Sequence, residues 1–498
     1  MLPVILDLVT ALKITILLGL FYKIYFHFCL NKKRTNTKRA DSNDQEYPLV
    51  CIQLPLYNEP EHAVELIECI CTMDWPKDRL EIQILDDSTD QTTSLIEQSL
   101  SCLRSTNAGL CLKHIRRSSR DGYKAGALAF GMSQSNADFF AVFDCDFRPT
   151  PDFLKKMMPS FAKVQVAAVQ AVWSYHRENK TLLNDLQKRL LDHHFLVEQN
   201  ARYHSHLPLN FNGTAGIWRR QAIEDVGGWS AITVTEDLYL SYLVQMAGWE
   251  IELRDDVSCL SELPTDLASF LVQQRRWALG NGQVLAVLRK KIKSSSWSAR
   301  QKFDVFIHLT GYATGFFTAL LYLLLPVWVF YRHDWLASSS VWDWRRVLDA
   351  GLWISLVALF FRVYGHPLLT SGLRPIPKWT STAKMLLVAP CLSILLLPSY
   401  LKGLELGKKG LITEFNRTPK DKRKRSFESL DRVFFTGLML IFGSTFVVSL
   451  FTEQYFIMVL MLLHIVYCKN LFVNVKPKQV NKRNLYRLDL DLNEEFSR

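Results

Sequence analysis

Long apolar runs at both ends of the chain, with a mixed segment between them, constrain its fold more than any other feature. Residues 14–30 are apolar except for Lys23 and His27, and residues 2–12 can lengthen that run. After Arg300 come further apolar runs at 303–331, 347–369, 385–401, 433–451 and 455–472. A helix needs about 20 apolar residues to cross a bilayer's hydrocarbon. Between the two apolar ends, residues 48–300 mix polar and apolar types as a globular domain does. The expectation is an integral, multi-pass membrane protein with one large domain in water. Its parts are an N-terminal transmembrane helix with a basic linker (1–46), the domain (47–300, ending in an interfacial helix), transmembrane helices (301–475) and a polar tail (476–498).

Charge orients this arrangement. The formal net charge is +11, and the basic clusters flank apolar runs: Lys32, Lys33, Arg34, Lys38 and Arg39 near one end, Lys420, Lys422, Arg423, Lys424 and Arg425 near the other. That placement suits orientation at a lipid bilayer and excludes nucleic acid as the partner. The 32–39 cluster puts the domain in the cytosol and the N-terminus outside. If every later run crossed, the basic loop 402–432 would fall outside, against the positive-inside rule. The 385–401 run is short and holds Pro390 and Pro398. It is therefore expected to lie in, or dip into, the cytosolic interface. Five spans remain, with the C-terminus inside. The basic stretch 469–487 agrees with this topology; Arg332, Arg345 and Arg346, in an outer loop, run against it. Asp7 precedes the first run and no small-residue cleavage site follows it, so no signal peptide is expected. The ten cysteines contain no CxxC pair, which suits reduced thiols in a cytosolic domain.

Inside the domain, "LVCIQLP" (49–55), "LEIQILDD" (80–87) and "DFFAVFDCD" (138–146) read as buried strands, with helical periodicity in "EHAVELIECICTMDW" between the first two. Strands alternating with helices predict a mostly parallel α/β sheet. Ligands of such sheets sit beyond the carboxyl ends of the strands, where two acidic clusters fall.

Each cluster has a structural and a chemical reading. Asp86 and Asp87 in "DDSTD" suit a strand end followed by a helix cap, or a ligand contact. Asp144 and Asp146 in "FDCDF" suit a turn, or two oxygen ligands for one divalent cation. Glu236 and Asp237 in "TEDLYL" suit the N-terminus of a helix, or a base with a tuned pKa. Gln273, Arg276 and Trp277 in "QQRRW" share one helix face by their spacing. That face suits an amphipathic interfacial helix, or a ligand wall. Arg275 falls on another face. His193, His194, His204 and His206 do not match common zinc spacing, so packing is expected of them.

The order of these clusters, with "LYNEP", "DGYKAGALAFG", "FNGTAGIWRR", "GGW" and "TEDLYLSYLVQMAGW" around them, resembles the family-2 inverting glycosyltransferases of the cellulose synthase-like group. The nearest likeness is to its mannan synthase and xyloglucan-backbone glucan synthase branch. It is dense over 48–289 and thinner at "FNRTPK" (415–420).

The resemblance implies a Rossmann-like GT-A domain with a mixed, mostly parallel sheet, inserted between transmembrane helices. It implies a processive β-glycosyltransferase moving a hexose with inversion from a nucleotide-diphosphate sugar, UDP-glucose or GDP-mannose, to a growing glycan. The alternatives are a single-sugar transferase acting on a lipid, like the ceramide glucosyltransferases, or a catalytically silent scaffold. In the family's pattern Asp86, Asp87, Lys124, Asp144, Gln273 and Arg276 hold the donor, and Asp146 with Asp144 holds Mg2+ or Mn2+. Asp237 is the base, with Glu236 beside it. Trp277, Asn212, Gly213 and Thr214 meet the acceptor. The membrane is then a plasma, inner or Golgi membrane, with the catalytic domain cytosolic.

Overall fold

The computed structural model describes residues 2–32, 47–175, 181–338, 344–364, 379–411 and 429–473. The linker at 35–45, the "FNRTPK" stretch with its basic neighbours, and the polar tail lie outside the described residues.

The domain is organised by one eight-stranded sheet. Its strands are β1 (Val50–Leu56), β2 (Leu80–Asp86), β3 (Cys111–Ile115), β4 (Phe139–Val142), β5 (Phe147–Arg148), β6 (Val166–Tyr175), β7 (Gly216–Arg219) and β8 (Glu250–Ser261). They lie in the order β3-β2-β1-β4-β7-β6-β8-β5. The block β3-β2-β1-β4 is parallel, and β6 with β8 is parallel. β7 runs antiparallel to both neighbours and β5 to β8. Every residue of β2 is buried, as expected of a parallel strand covered on both faces. Ile67, Ile70, Ile96 and Leu100 cover one face; Met132, Leu240 and Val244 belong to the core on the other. Two glutamines inside the central strands bond to each other and to a neighbouring helix: Gln53 donates to Gln83 at 3.1 Å, and Gln83 donates to the Gly131 carbonyl at 2.8 Å.

From β1 the chain builds outward to β2 and β3, then crosses back to place β4 on the other side. That reversal opens a crevice beyond the carboxyl ends of β1 and β4. The strand expected over 138–146 stops at Val142, and Asp144 and Asp146 stand on the turn between β4 and β5.

Among the described residues five helices are long and apolar enough to cross a membrane: Val4–Cys29, Ala299–Tyr331, Val347–Tyr364, Ser381–Lys409 and Arg432–Phe451; Tyr455–Leu471 is apolar but shorter. Shortness therefore no longer sets the 385–401 run apart. It sits inside a helix running Trp379–Lys409 straight through both prolines. What distinguishes this helix is its partner. Its C-terminal half lies along the helix Leu267–Ser294, which carries Gln273, Arg276 and Trp277. Glycines let the two backbones touch. A Cβ on Gly403 would stand 2.0 Å from the Leu279 carbonyl oxygen, and one on Gly282 would stand 2.4 Å from that of Tyr400. Its N-terminal half supplies Met385, Val388 and Leu392 to a core shared with Phe270 and Leu271. One helix thus ties the apolar bundle to the domain.

Candidate active site

The strand ends, the first turn of two helices and one face of a third meet around a cavity of about 2090 Å³. Asp87, Lys124, Asp144, Asp146, Asn212, Gly213, Glu236, Asp237, Gln273, Arg276 and Trp277 all line it. These come from positions up to 190 residues apart in the chain, and the sheet brings them onto one wall.

Asp87 follows β2. Arg117 grips it with two bonds, Nε to Oδ1 at 3.0 Å and Nη2 to Oδ2 at 2.5 Å. The same guanidinium donates to the carbonyls of Asp121 and Tyr123, at 2.8 and 3.1 Å. It so fixes the turn that opens the helix Tyr123–Ser133, whose second residue is Lys124. Lys124 donates to Asp144 Oδ1 at 2.5 Å and to the Gly213 carbonyl at 2.8 Å. Burial works against the Lys124 charge, but Asp144 and then Glu236 outweigh it and hold its pKa above the ordinary lysine value.

Glu236 and Asp237 open the helix Glu236–Met246. The Leu238 amide donates to Asp237 Oδ1 at 2.8 Å. Burial raises both carboxyls, most clearly Glu236, which is pushed up to about 7 by desolvation and then by the charge of Asp237. Gly213 makes the close approach possible. Its φ of +78° is left-handed, and a Cβ there would lie 2.8 Å from Asp237 Oδ2, so any other residue would be strained and would displace the acid.

The helix Leu267–Ser294 presents Phe270, Gln273, Gln274, Trp277 and Asn281 to the cavity together with Arg276; Arg275 is not on that wall. Its side facing the domain is locked: Gln283 accepts from the Val234 amide at 2.9 Å. The Trp277 ring lies 6.5 Å from that of Trp173, tilted by 54°, and Trp173 packs on Phe147 and Phe195. The two indoles form a corner.

Two residues expected at the ligand stand behind the wall instead. Asp86 is 1% exposed. Its Oδ1 accepts from the Ser88 amide at 2.9 Å, and its Oδ2 accepts from Thr93 at 2.7 Å with His114 Nε2 at 3.1 Å. Burial opposes its charge, yet these bonds, led by His114, lower its pKa to about 2. It is the strand-end cap of the structural reading. Thr214 is also 1% exposed; its Oγ1 accepts from the Asp144 amide at 2.9 Å. It sets the Asp144-x-Asp146 turn and, being buried, does not line the cavity. Asn212 remains on the wall.

The sequence reading missed Trp173, Arg117, Glu198 and the use of His194. A tryptophan near the carboxyl end of a strand was the available signal for the first. His193, as expected, packs against rings, with Tyr364 at 4.9 Å, while His194 reaches the cavity.

The donor set suits a hard divalent cation. Asp144 and Asp146 are oxygen donors on one turn at the mouth of a cleft. No group of three protein ligands occurs among the described residues. Mg2+ in particular is held by one or two carboxylates together with substrate phosphates rather than by an all-protein cage.

The cavity does not end at these groups. It continues between the apolar helices, past Tyr312, Phe317, Leu321, Trp328, Trp353 and His464.

Comparisons with known proteins agree with this geometry. Residues 11–366 match the family described as Glycosyl transferase family 21. The chain is 36% identical over 312 residues to probable glucomannan 4-beta-mannosyltransferase 15 of Arabidopsis thaliana, covering 61% of this chain and 57% of that one. It is 41% identical over 244 residues to probable glucomannan 4-beta-mannosyltransferase 7 of Oryza sativa subsp. japonica, covering 48% and 41%. The chain thus spans about half the length of the curated relatives it matches. A mannosyltransferase from Pyrobaculum calidifontis, solved in complex with GDP-Man and Mn2+, superposes with a TM-score of 0.56 at 18% identity, over 80% of this chain and 99% of that one. At that identity the likeness shows the fold alone: a GT-A-type sheet domain, here flanked by membrane-type helices.

Proposed function

The chain belongs to Glycosyl transferase family 21, and from that premise we propose that it is a membrane-embedded inverting hexosyltransferase. It moves mannose from GDP-mannose, or glucose from UDP-glucose, to the end of a growing β-glycan. The names of its relatives favour mannose. One observation carries the reading: the acids, the basic groups and Trp277 line a single cavity that runs on between apolar helices.

The donor's diphosphate lies over the Asp144–Asp146 turn. A divalent cation held there by Asp146, with Asp144, would neutralise the charge that grows on the leaving diphosphate. Arg276 adds a fork of N–H donors to the same oxygens, with Gln273 beside it. Lys124 keeps Asp144 and the Gly213 carbonyl in place and adds a positive charge. Asp87, braced by Arg117, meets the nucleoside end. The acceptor sugar stacks on Trp277, whose indole gives an apolar face and a polar edge.

Asp237 takes the proton from the acceptor hydroxyl. The hydroxyl oxygen bonds to the anomeric carbon as the bond to the diphosphate breaks, and the nucleoside diphosphate leaves with the bonding pair. A single displacement on an α-linked donor gives a β-linked product. Burial of Glu236 and Asp237 together raises the basicity of the pair, which suits a base working near neutrality. The catalytic domain is cytosolic in this reading, where nucleotide sugars are met.

Membranes containing the full chain, given radiolabelled GDP-mannose, UDP-glucose or UDP-N-acetylglucosamine, test the proposal. A labelled polymer is expected. A single labelled sugar on lipid would replace the acceptor in this reading. No transfer from any donor would leave the scaffold alternative.

A further inference from the structure

The helix Leu182–Asp192 runs through a π-helical turn, His193–Gln199, before it resumes as Asn200–His204. Such turns insert an extra residue into a helix and collect at functional sites. This one brings His194 and Glu198 to the cavity wall.

These two side chains belong to a chain of contacts. Arg202 is 1% exposed, and its Nη2 lies 3.2 Å from Glu198 Oε1. Burial alone would raise the Glu198 pKa, but Arg202 and then His194 hold that carboxyl well below the usual range. Glu198 Oε2 stands 3.9 Å from His194 Nδ1. His194 Nε2 lies 2.9 Å from Asn212 Oδ1, which also accepts from Asn210 Nδ2 at 2.8 Å. The Asn212 amide nitrogen of the backbone donates to Gln170 at 2.9 Å. Both the backbone and the side-chain oxygen of Asn212 are therefore fixed. The side-chain Nδ2 has only a contact of 3.5 Å, to the Asn210 carbonyl, too long for a good hydrogen bond. Asn212 precedes Gly213, whose Cβ position is 2.8 Å from Asp237 Oδ2.

We propose that His194, braced by Glu198 and Arg202, is a positioning residue for the acceptor: it orients the Asn212 carboxamide so that its N–H donors meet a hydroxyl of the acceptor sugar beside Asp237. The proposal rests on the reading of this cavity as a glycosyl-transfer site. It gives a role to a histidine that spacing assigned to packing. A glutamine at 194 can present an N–H in place of Nε2; an alanine cannot.

The test is steady-state transfer by the full-length protein, with GDP-mannose as donor and β-linked manno-oligosaccharides as acceptors. His194→Ala is expected to raise the acceptor KM about tenfold, with the donor KM within about twofold of wild type, because a misplaced contact near the reacting atoms weakens only the substrate it positions. His194→Gln is expected to recover most of that loss. In an Asn212→Ala background, His194→Ala is expected to add less than about twofold, since residues acting through one another are not additive. Glu198→Gln keeps the shape and removes the charge, and it serves if the alanine variant does not assemble; an acceptor KM up by about threefold with an unchanged donor KM is expected. Donor and acceptor KM rising together, full additivity of the His194 and Asn212 changes, or a glutamine variant no better than alanine overturns the relay. A wild-type protein that transfers nothing from GDP-mannose, nor from UDP-glucose to β-linked gluco-oligosaccharides, overturns the transferase reading itself, and the relay with it.

Discussion

The two ends of the cavity place their ion pairs differently. At the domain end, ions face the space a ligand would fill: Lys124 pairs with Asp144 at 2.5 Å, with Glu236 buried and Asp237 half-buried beside them. At the membrane end the wall is mostly aromatic and aliphatic, with Lys23 and Glu453 the charged residues on it, and one ion pair stands behind it. Lys13 is fully buried, bonds Asp349, and lies 4.9 and 4.7 Å from the ring centroids of Trp328 and Trp353. Those two indoles face the cavity; neither ion does. The domain end keeps its charges able to change partner during a reaction. The membrane end closes them on each other to hold helices together. Function at one end should therefore fail through chemistry, and at the other through assembly.

The sharpest way to break that contrast is Asp237→Asn. Removing the proposed base is expected to lower kcat about 10³-fold, with thermal stability and donor binding unchanged. Single-turnover transfer and nucleotide-diphosphate binding measure the two sides. A variant that unfolds instead would make Asp237 a structural acid like Asp86.

The next effect is on pH. Glu236 and Asp237 are raised by burial, Glu236 to about 7, and the base must be unprotonated. Activity is therefore expected to fall as pH drops, approaching tenfold per unit on a limb that lies above the ordinary carboxylate range, because the two acids titrate as a pair. Glu236→Gln removes the neighbouring charge and should move that limb to lower pH. A limb near pH 4 in the unaltered enzyme would mean the acids are solvated in the working state.

The contrast also explains what could be read from the sequence. The sheet was legible because β1, β2 and β4 are short apolar runs, and acids just beyond the ends of β2 and β4 put Asp87, Asp144 and Asp146 at the cavity. The shared face of Gln273, Arg276 and Trp277 followed from helical spacing. Asp86 and Thr214 were misjudged because spacing shows where a residue lies along a strand or loop, not whether its oxygen is already taken by Ser88 or by the Asp144 amide. His194 was hidden because a π turn changes the phase of its helix, which no apolar pattern announces. The 385–401 run was read as interfacial because it is short between Lys384 and Lys402 and holds two prolines, whereas the helix carries both prolines within one continuous run from Trp379 to Lys409.

At the membrane end, Lys13→Met should act on stability first. It leaves Asp349 buried without its counter-charge, which costs about 3 kcal/mol or more when one partner of a buried pair is removed. A lower melting temperature in detergent is expected, with the kcat of the surviving protein close to wild type. Lys13→Met combined with Asp349→Leu should recover most of the stability, because a buried pair replaced by apolar residues of similar size is close to neutral. A double variant that is stable but inactive would move this pair from the architecture into the reaction.

The smallest effect separates the two ends most finely. Tyr322 and His464 both line the membrane part of the cavity, and their side chains meet at 3.1 Å, with His464 Nδ1 2.9 Å from the Leu460 carbonyl. Tyr322→Phe removes the hydroxyl and keeps the ring packed on Phe442. Hydrogen bonds between membrane helices average about 0.6 kcal/mol, so the change in stability should barely exceed measurement error. If the pair only joins helices, polymer length and rate will also stay within about twofold of wild type, as such an energy allows. If the hydroxyl also meets a passing sugar, the rate of the first transfers will hold while the product shortens, since later sugars would lose a contact that the first never reaches. Product-length analysis on a sizing column, beside the initial rate, distinguishes the two. A shortened product would show that the apolar end of the cavity, too, keeps polar groups facing its ligand.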